Sequence, residues 1–241
     1  MRMLVMDGAP AGADARAVIA CLVVRDGVPS VLATRVATGR GAAEQFPQLA
    51  TELFAQCGWN HAMPELVGVV VGPGSFTGLR ASVAFAHGLA AGCGCAVVGV
   101  TVGEAMAPAL HAAGMAPPAR LLCCTIARRG RVFIETSGQD GEGQGGDARV
   151  SAHMLETLDL PPGPLLLAGN GAQWVKDSMP DRDDVRLFPL VQPDPMGIAT
   201  IALRRWRGEL PPRPAQPLYV DAPEARLPAA GLRPAPVPPA S

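Results

Sequence analysis

The sequence predicts an α/β fold built from one complete half and a second, reduced half. Three observations carry this. Three strand-like runs open the chain and are joined by tight turns. Helical and strand periodicities then alternate as far as about residue 115. Beyond that point apolar runs recur less regularly, and the chain ends in a proline-rich stretch. The implied division is 1–115, 116–207 and a tail, 208–241.

Met3 to Met6 reads as a first short strand and Ala17 to Val24 as a second. Arg25-Asp26-Gly27 supplies Asp-Gly turn chemistry, so Val31 to Val36 should return antiparallel to it. A helix follows, because Phe46, Leu49, Ala50, Leu53, Phe54 and Cys57 form one amphipathic stripe. Pro47 suits its first turn and Gly58 stops it. Leu66 to Val71 is a continuous apolar run, expected as a buried strand. It leads into Gly72-Pro73-Gly74-Ser75-Phe76-Thr77-Gly78-Leu79-Arg80, a glycine turn before a second helix, Leu79 to Ala91, with Thr77 as expected N-cap. A strand at 96–99 and a third helix follow, the latter opened by Thr101 and Glu104 as a capping box. This order, three strands and then helix, strand, helix, strand, helix, is that of the ribonuclease-H-like half found in actin, Hsp70 and sugar kinases. In the second half, Leu121 to Ile126 and Arg131 to Thr136 should form a hairpin around Arg128-Arg129-Gly130. Gly138 to Asp147 should be a glycine-rich loop, Met154 to Leu158 helical, Leu165 to Ala168 a strand and Gly169-Asn170-Gly171 a turn. Met196 to Arg207 fits a last helix.

The second helix is apolar on two sides. Leu79, Ser82, Val83, Ala86, Leu89 and Ala90 cover one face; Ala81, Ala84, Phe85, Gly88, Ala91 and Gly92 cover the other. One face must meet the sheet. The other, with Ala84, Gly88 and Gly92 spaced four apart, permits close helix packing and needs a cover, either other segments of this chain or a partner. The glycine turn lacks the spacing of a dinucleotide fingerprint, a P-loop or a nucleophile elbow. It remains a candidate anion cradle, since backbone N–H groups and a helix N-terminus gather there.

The literal string Gly72 to Arg80, with Val83-Ala84, Gly88-Leu89-Ala90, Val97 to Thr101 and Glu104, closely resembles the TsaB (YeaZ) family. The resemblance is strong over residues 65 to 106, weaker from Met1 to about Gly58, and returns at Gln216 to Val220. It implies an actin-like (ASKHA) duplicated fold with a reduced second half. It further implies a non-catalytic, cytoplasmic scaffold that dimerises with a TsaD-like catalytic subunit, without metal or cofactor of its own. ATP and metal would reside on the partners, a TsaE-like ATPase among them, and tRNA would be met indirectly during formation of N6-threonylcarbamoyladenosine (t6A) at adenosine 37. A homodimer is an alternative when the chain is alone. The first two helices would pair with the partner, which singles out Leu49, Leu53, Ala81, Ala84, Phe85 and Gly88. Asp7, at the end of the first strand, has the address of the superfamily's phosphate-site acid, so Asp7, Gly72, Gly74, Ser75, Thr77 and Gly78 form a candidate nucleotide or phosphate loop. The competing reading is an enzyme in its own right, an actin-like phosphotransferase or glycoprotease-like hydrolase using that loop. The chain departs from its relatives at Gly8-Ala9, at Ala127 and at Arg131, where they carry a hydroxyl or acids.

Composition bounds these readings. Charged residues make up 17% of 241 residues and the net charge is −1, so no basic footprint of a free-standing nucleic-acid binder is present. His61, His87, His111 and His153 are scattered, with no ligand spacing. Neither Cys93 and Cys95 nor the adjacent Cys123 and Cys124 make a zinc motif, and reduced thiols are expected. No signal peptide or membrane span is evident.

Overall fold

Each half of the chain builds the same five-stranded mixed sheet. In the computed structural model, which describes residues 1–11, 15–59, 63–112, 120–127, 130–138 and 146–220, ten strands and five helices follow one another. They are β1 (Arg2–Asp7), β2 (Arg16–Arg25), β3 (Val28–Thr38), α1 (Phe46–Gln56), β4 (Leu66–Gly72), α2 (Phe76–Cys93), β5 (Ala96–Thr101) and α3 (Val102–Ala112). The second half continues with β6 (Arg120–Ile126), β7 (Arg131–Gly138), β8 (Gly146–Met154), β9 (Leu165–Ala168), α4 (Ala172–Asp177), β10 (Val185–Leu187) and α5 (Pro195–Trp206).

The first sheet has the order β3-β2-β1-β4-β5 and the second β10-β9-β6-β7-β8. Read from the opposite edge, the second order is the first repeated. The directions repeat as well: β1 and β6 each pair antiparallel with the next strand and parallel with the fourth of their half. The duplication is therefore complete in strands and reduced in helices. Between β8 and β9 there is a 3-10 turn, Leu155–Thr157, where the first half has α1. The counterpart of the 18-residue α2 is the 6-residue α4.

Three apolar clusters order the layers. Leu4, Met6, Val67 and Val69 meet α1 and α2 on the outer face of the first sheet. Met3, Val5, Leu66 and Val70 meet α3 and α5, whose cluster also holds Cys123 and Leu166 from the second sheet. Leu122, Cys124, Val132 and Ile134 lie against α4 on the far side. β1 and β4 are thus covered on both faces, which is why they read as unbroken apolar runs.

Several expectations need correction. Met154 closes β8 instead of opening a helix, because the period-two run Val150 to Met154 pairs with β7. α4, β8 and β10 were not expected; each is short or follows a glycine-rich stretch with weak periodicity. The tip Arg128-Arg129, the core of the glycine-rich loop (139–145), His61 and residues 221–241 lie outside the described residues. Cys21, Cys123 and Cys124 are buried, whereas Cys57, Cys93 and Cys95 are only half-buried, and all six are free thiols. Among the described residues no helix is long and apolar enough to cross a membrane.

Candidate functional site

The glycine turn joins β4 to α2 at the end of β1. Gly72 has φ 127°, open to glycine without strain, and a cis bond joins it to Pro73. Ser75, and not Thr77, caps α2: its backbone is extended, and its Oγ accepts from Gly78 N at 3.2 Å. Thr77 already lies in the first helical turn, exposed.

The glycines serve close backbone packing. A Cβ on Gly74 would lie 2.2 Å from the Ala9 carbonyl oxygen, and one on Gly78 would lie 2.1 Å from that of Gly8. Ser75 N donates to Ala9 O at 2.7 Å. Where the sequence allowed a phosphate cradle, the chain places two of its own carbonyl oxygens, the wrong polarity for an anion. Asp7 is fully buried. Its Oδ1 accepts from Ala9 N at 2.8 Å, and its Oδ2 has no partner among the described residues. Burial pushes the carboxyl up to about 7, against the pull of the Ala9 N–H. Gly72, Gly74, Ser75, Thr77, Gly78 and Asp7 do come together, as the sequence implied, but this arrangement does not fit a bound phosphate. Among the described residues no group of three His, Cys, Asp or Glu could hold a metal ion.

A second polar cluster, not legible in the sequence beyond its capping box, ties the halves together. Thr101 N donates to Glu104 Oε2 at 2.9 Å, and Glu104 N donates to Thr101 Oγ1 at 3.2 Å. Glu104 also receives Arg205 of α5 at 2.7 Å and Arg213 at 3.2 Å. Burial would raise Glu104, but the Arg205 hydrogen bond and the others hold its carboxyl below the usual range. From the second sheet, buried Glu135 accepts from the Thr101 hydroxyl and, at 2.7 Å, from Gly103 N in the first turn of α3. Burial raises its carboxyl to about 7 although both bonds pull it down.

The residues expected to face a partner divide. Leu53 is wholly buried among Phe46, Ala50 and the sheet, so it is core and not surface. The α1 stripe points one way only, and Leu53 sits at its centre. Leu49, Ala81 and Phe85 are half-buried, and Ala84 and Gly88 are exposed. On α2, Leu79, Ser82, Val83 and Ala86 face the sheet. Ala84, Gly88, Ala91 and Gly92 form an open stripe, and a Cβ at Gly88 or Gly92 would meet nothing within 4 Å. At the first turn of α2, Phe76 and Tyr219 are about half-exposed and bracket Arg80.

The start of the proline-rich tail, 208–215, is anchored. Arg205 Nε donates to Pro211 O at 2.7 Å, and Gly99 N donates to Arg213 O at 3.1 Å on the edge of β5. His87 Nε2 lies 2.7 Å from Ala215 O, and Leu218 N donates to Val71 O at 2.7 Å. Carbonyls of this stretch find donors on α5 and on the first half, and Leu218 N finds an acceptor on β4, a pairing that proline content alone does not reveal.

Comparison with known proteins agrees with this fold. The chain is similar to an uncharacterized Pseudomonas aeruginosa protein described as having similarity to peptidase YEAZ: TM-score 0.68, 20% identity, covering 91% of this chain and 99% of that one. It is similar also to YeaZ from Pseudomonas aeruginosa: TM-score 0.66, 22% identity, covering 90% and 99%. A search of curated protein sequences finds no match. The family model for TsaD, tRNA N6-adenosine threonylcarbamoyltransferase, matches residues 36–169, more than half of the chain and inclusive of the glycine turn and α2. The chain therefore belongs to the TsaD family and shares the actin-like α/β fold of YeaZ.

Proposed function

We propose that this chain is the non-catalytic partner of a TsaD-like catalytic subunit in the threonylcarbamoylation of adenosine 37 of tRNA, and that it docks through α2 with the flank of α1. Family membership supports the pathway. The observation that carries the docking role is the open stripe Ala84, Gly88, Gly92 on a long helix whose opposite face is already buried in the sheet. Small residues at this spacing let a second helix approach closely, and no described segment of the chain lies over Gly88 or Gly92. A supporting role is also favoured over catalysis by the turn itself. The Gly8 and Ala9 carbonyls pack against Gly78 and Gly74, and Asp7 is fully buried. ATP, metal and most tRNA contacts would then be supplied by the TsaD-like subunit and a TsaE-like ATPase, with the complex acting in the cytoplasm.

The test is Gly88→Leu, with Ala84→Leu as a second probe. Neither position packs against its own chain, so both variants should keep the circular dichroism and melting temperature of the parent. Overpacking a helix–helix contact costs about 1–3 kcal/mol, which is roughly 5- to 150-fold in affinity. Gel filtration of the chain mixed with the TsaD-like subunit from the same genome should show co-elution for the parent and its loss for Gly88→Leu. Unchanged co-elution would remove α2 from the interface. Absence of any complex with the parent would overturn the partner reading.

A further inference from the structure

The α2 stripe ends in a charged feature that the small residues do not explain. Arg80 precedes Ala84 and Gly88 by four and eight positions, so it lies on the same strip of helix surface. Its guanidinium carbon stacks 3.8 Å from the centroid of the Phe76 ring and 5.8 Å from that of Tyr219. Its Nε donates to Tyr219 Oη at 3.0 Å. The two rings contact each other at 5.6 Å. One face of the guanidinium and one of its donors are therefore fixed. The terminal nitrogens, Nη1 and Nη2, have no partner among the described residues, although Arg80 is exposed. α2 carries no acidic residue from Phe76 to Cys93, so nothing on its own helix neutralises this cation.

Exposed arginines are usually mobile, and their freedom is lost on binding. Here stacking and the Tyr219 hydroxyl hold the fork in place beforehand. Phe76 is 44% exposed and Tyr219 is 50% exposed. A fixed cation rimmed by two rings is suited to a carboxylate that arrives with apolar neighbours. The carboxylate takes the two terminal nitrogens while its neighbours cover the rings. We infer that the Phe76–Arg80–Tyr219 cluster receives an Asp or Glu side chain of the TsaD-like subunit and thereby fixes the register of the helix docked along Ala84, Gly88 and Gly92. The inference rests on the docking reading of α2. What it adds is the chemistry of the partner at one end of the face, and a role for the C-terminal strap: Tyr219, far away in sequence, orders a docking residue.

The experiment is a titration of the full chain against the TsaD-like subunit from the same genome, at low and at high salt, for the parent, Arg80→Glu, Arg80→Lys and Tyr219→Phe. Arg80→Glu should weaken binding about 100-fold and Arg80→Lys about 10-fold, since a lysine keeps the charge but loses the fork. Tyr219→Phe keeps the ring and releases Nε, and should cost roughly 3- to 10-fold. The salt dependence of the parent should be reduced in Arg80→Glu. No binding by the parent would dispose of the docking reading itself. Parent binding with Arg80→Glu within twofold of it would overturn the carboxylate contact alone. Two other occupants would also overturn it. One is tRNA phosphate, revealed if the parent binds tRNA by itself and Arg80→Glu loses only that. The other is the chain's own acids, revealed if Asp221→Asn with Glu224→Gln tightens partner binding.

Discussion

Replacing Asp7 by asparagine should reverse the sign of its effect on stability between acid and mildly alkaline solution. The parent carboxyl titrates at about 7 when folded, against 3.8 for the ordinary group, because it is buried with one oxygen unpartnered. The folded state thus binds this proton more tightly than the unfolded state does. Below about pH 4 both states are protonated and the group is neutral to stability. As pH rises from there to about 7 the unfolded state ionises first, and stability falls; above 7 the loss is constant. The full loss is about three pKa units, or about 4 kcal/mol, of which about 3 kcal/mol accumulates between pH 5 and pH 8. Asparagine keeps the acceptor for Ala9 N and removes the charge, but sets an NH2 where Oδ2 lacked a partner, at about 1–3 kcal/mol. At pH 8 the variant should be the more stable by roughly 1–3 kcal/mol, and at pH 5 equal or slightly worse. Urea unfolding of both proteins at the two pH values measures the difference directly. Glu135 titrates in the same direction in both proteins and cancels from it. A parent-to-variant difference that is the same at pH 5 and pH 8 would refute a buried, proton-binding Asp7.

Two further predictions concern the backbone. Gly78→Ala forces a Cβ into the Gly8 carbonyl at 2.1 Å and should destabilise by about 3 kcal/mol or more, whereas Gly88→Ala, in open space, should stabilise by up to about 1 kcal/mol; thermal melts of the two variants compare them. Ending the chain after Leu210 deletes Arg213, Ala215 and Leu218 and leaves Glu104 with one arginine, so the melting temperature should drop.

The first half of the fold was legible because its signals are long and mutually consistent. Asp26-Gly27, the six-residue stripe of α1, the unbroken apolar β4 and the Thr101–Glu104 box each matched one element. The N-cap was misplaced by two residues because Ser75 and Thr77 are both competent caps, and only the backbone angle at 75 separates them. The second half was harder. β10 has three residues and α4 has six, too few for either periodicity to repeat. The candidate site followed the same rule. Its members are legible as neighbours, but whether a glycine makes room for a ligand or for the chain's own carbonyl depends on Gly8 and Ala9, which lie more than sixty positions upstream. Leu53 shows the related ambiguity of an amphipathic stripe, which states that a helix has a buried side without stating which of its apolar residues sit at the margin.

The strap has a consequence for how the molecule is made. Arg80 and Tyr219 are 139 residues apart in sequence, His87 and Ala215 are 128 apart, and Glu104 and Arg213 are 109 apart. Each of these contacts seals a residue of the first half, yet none can form until its distant partner has left the ribosome. Contacts of such separation slow folding, since a long loop must close before they contribute. During synthesis at about 5–20 residues per second, the first sheet must wait with the outer edge of β5 unsealed and Glu104 lacking both of its arginines. Emergence of residues 205–219 is therefore the step that completes the N-terminal half, and with it the ordered Arg80 at the end of α2.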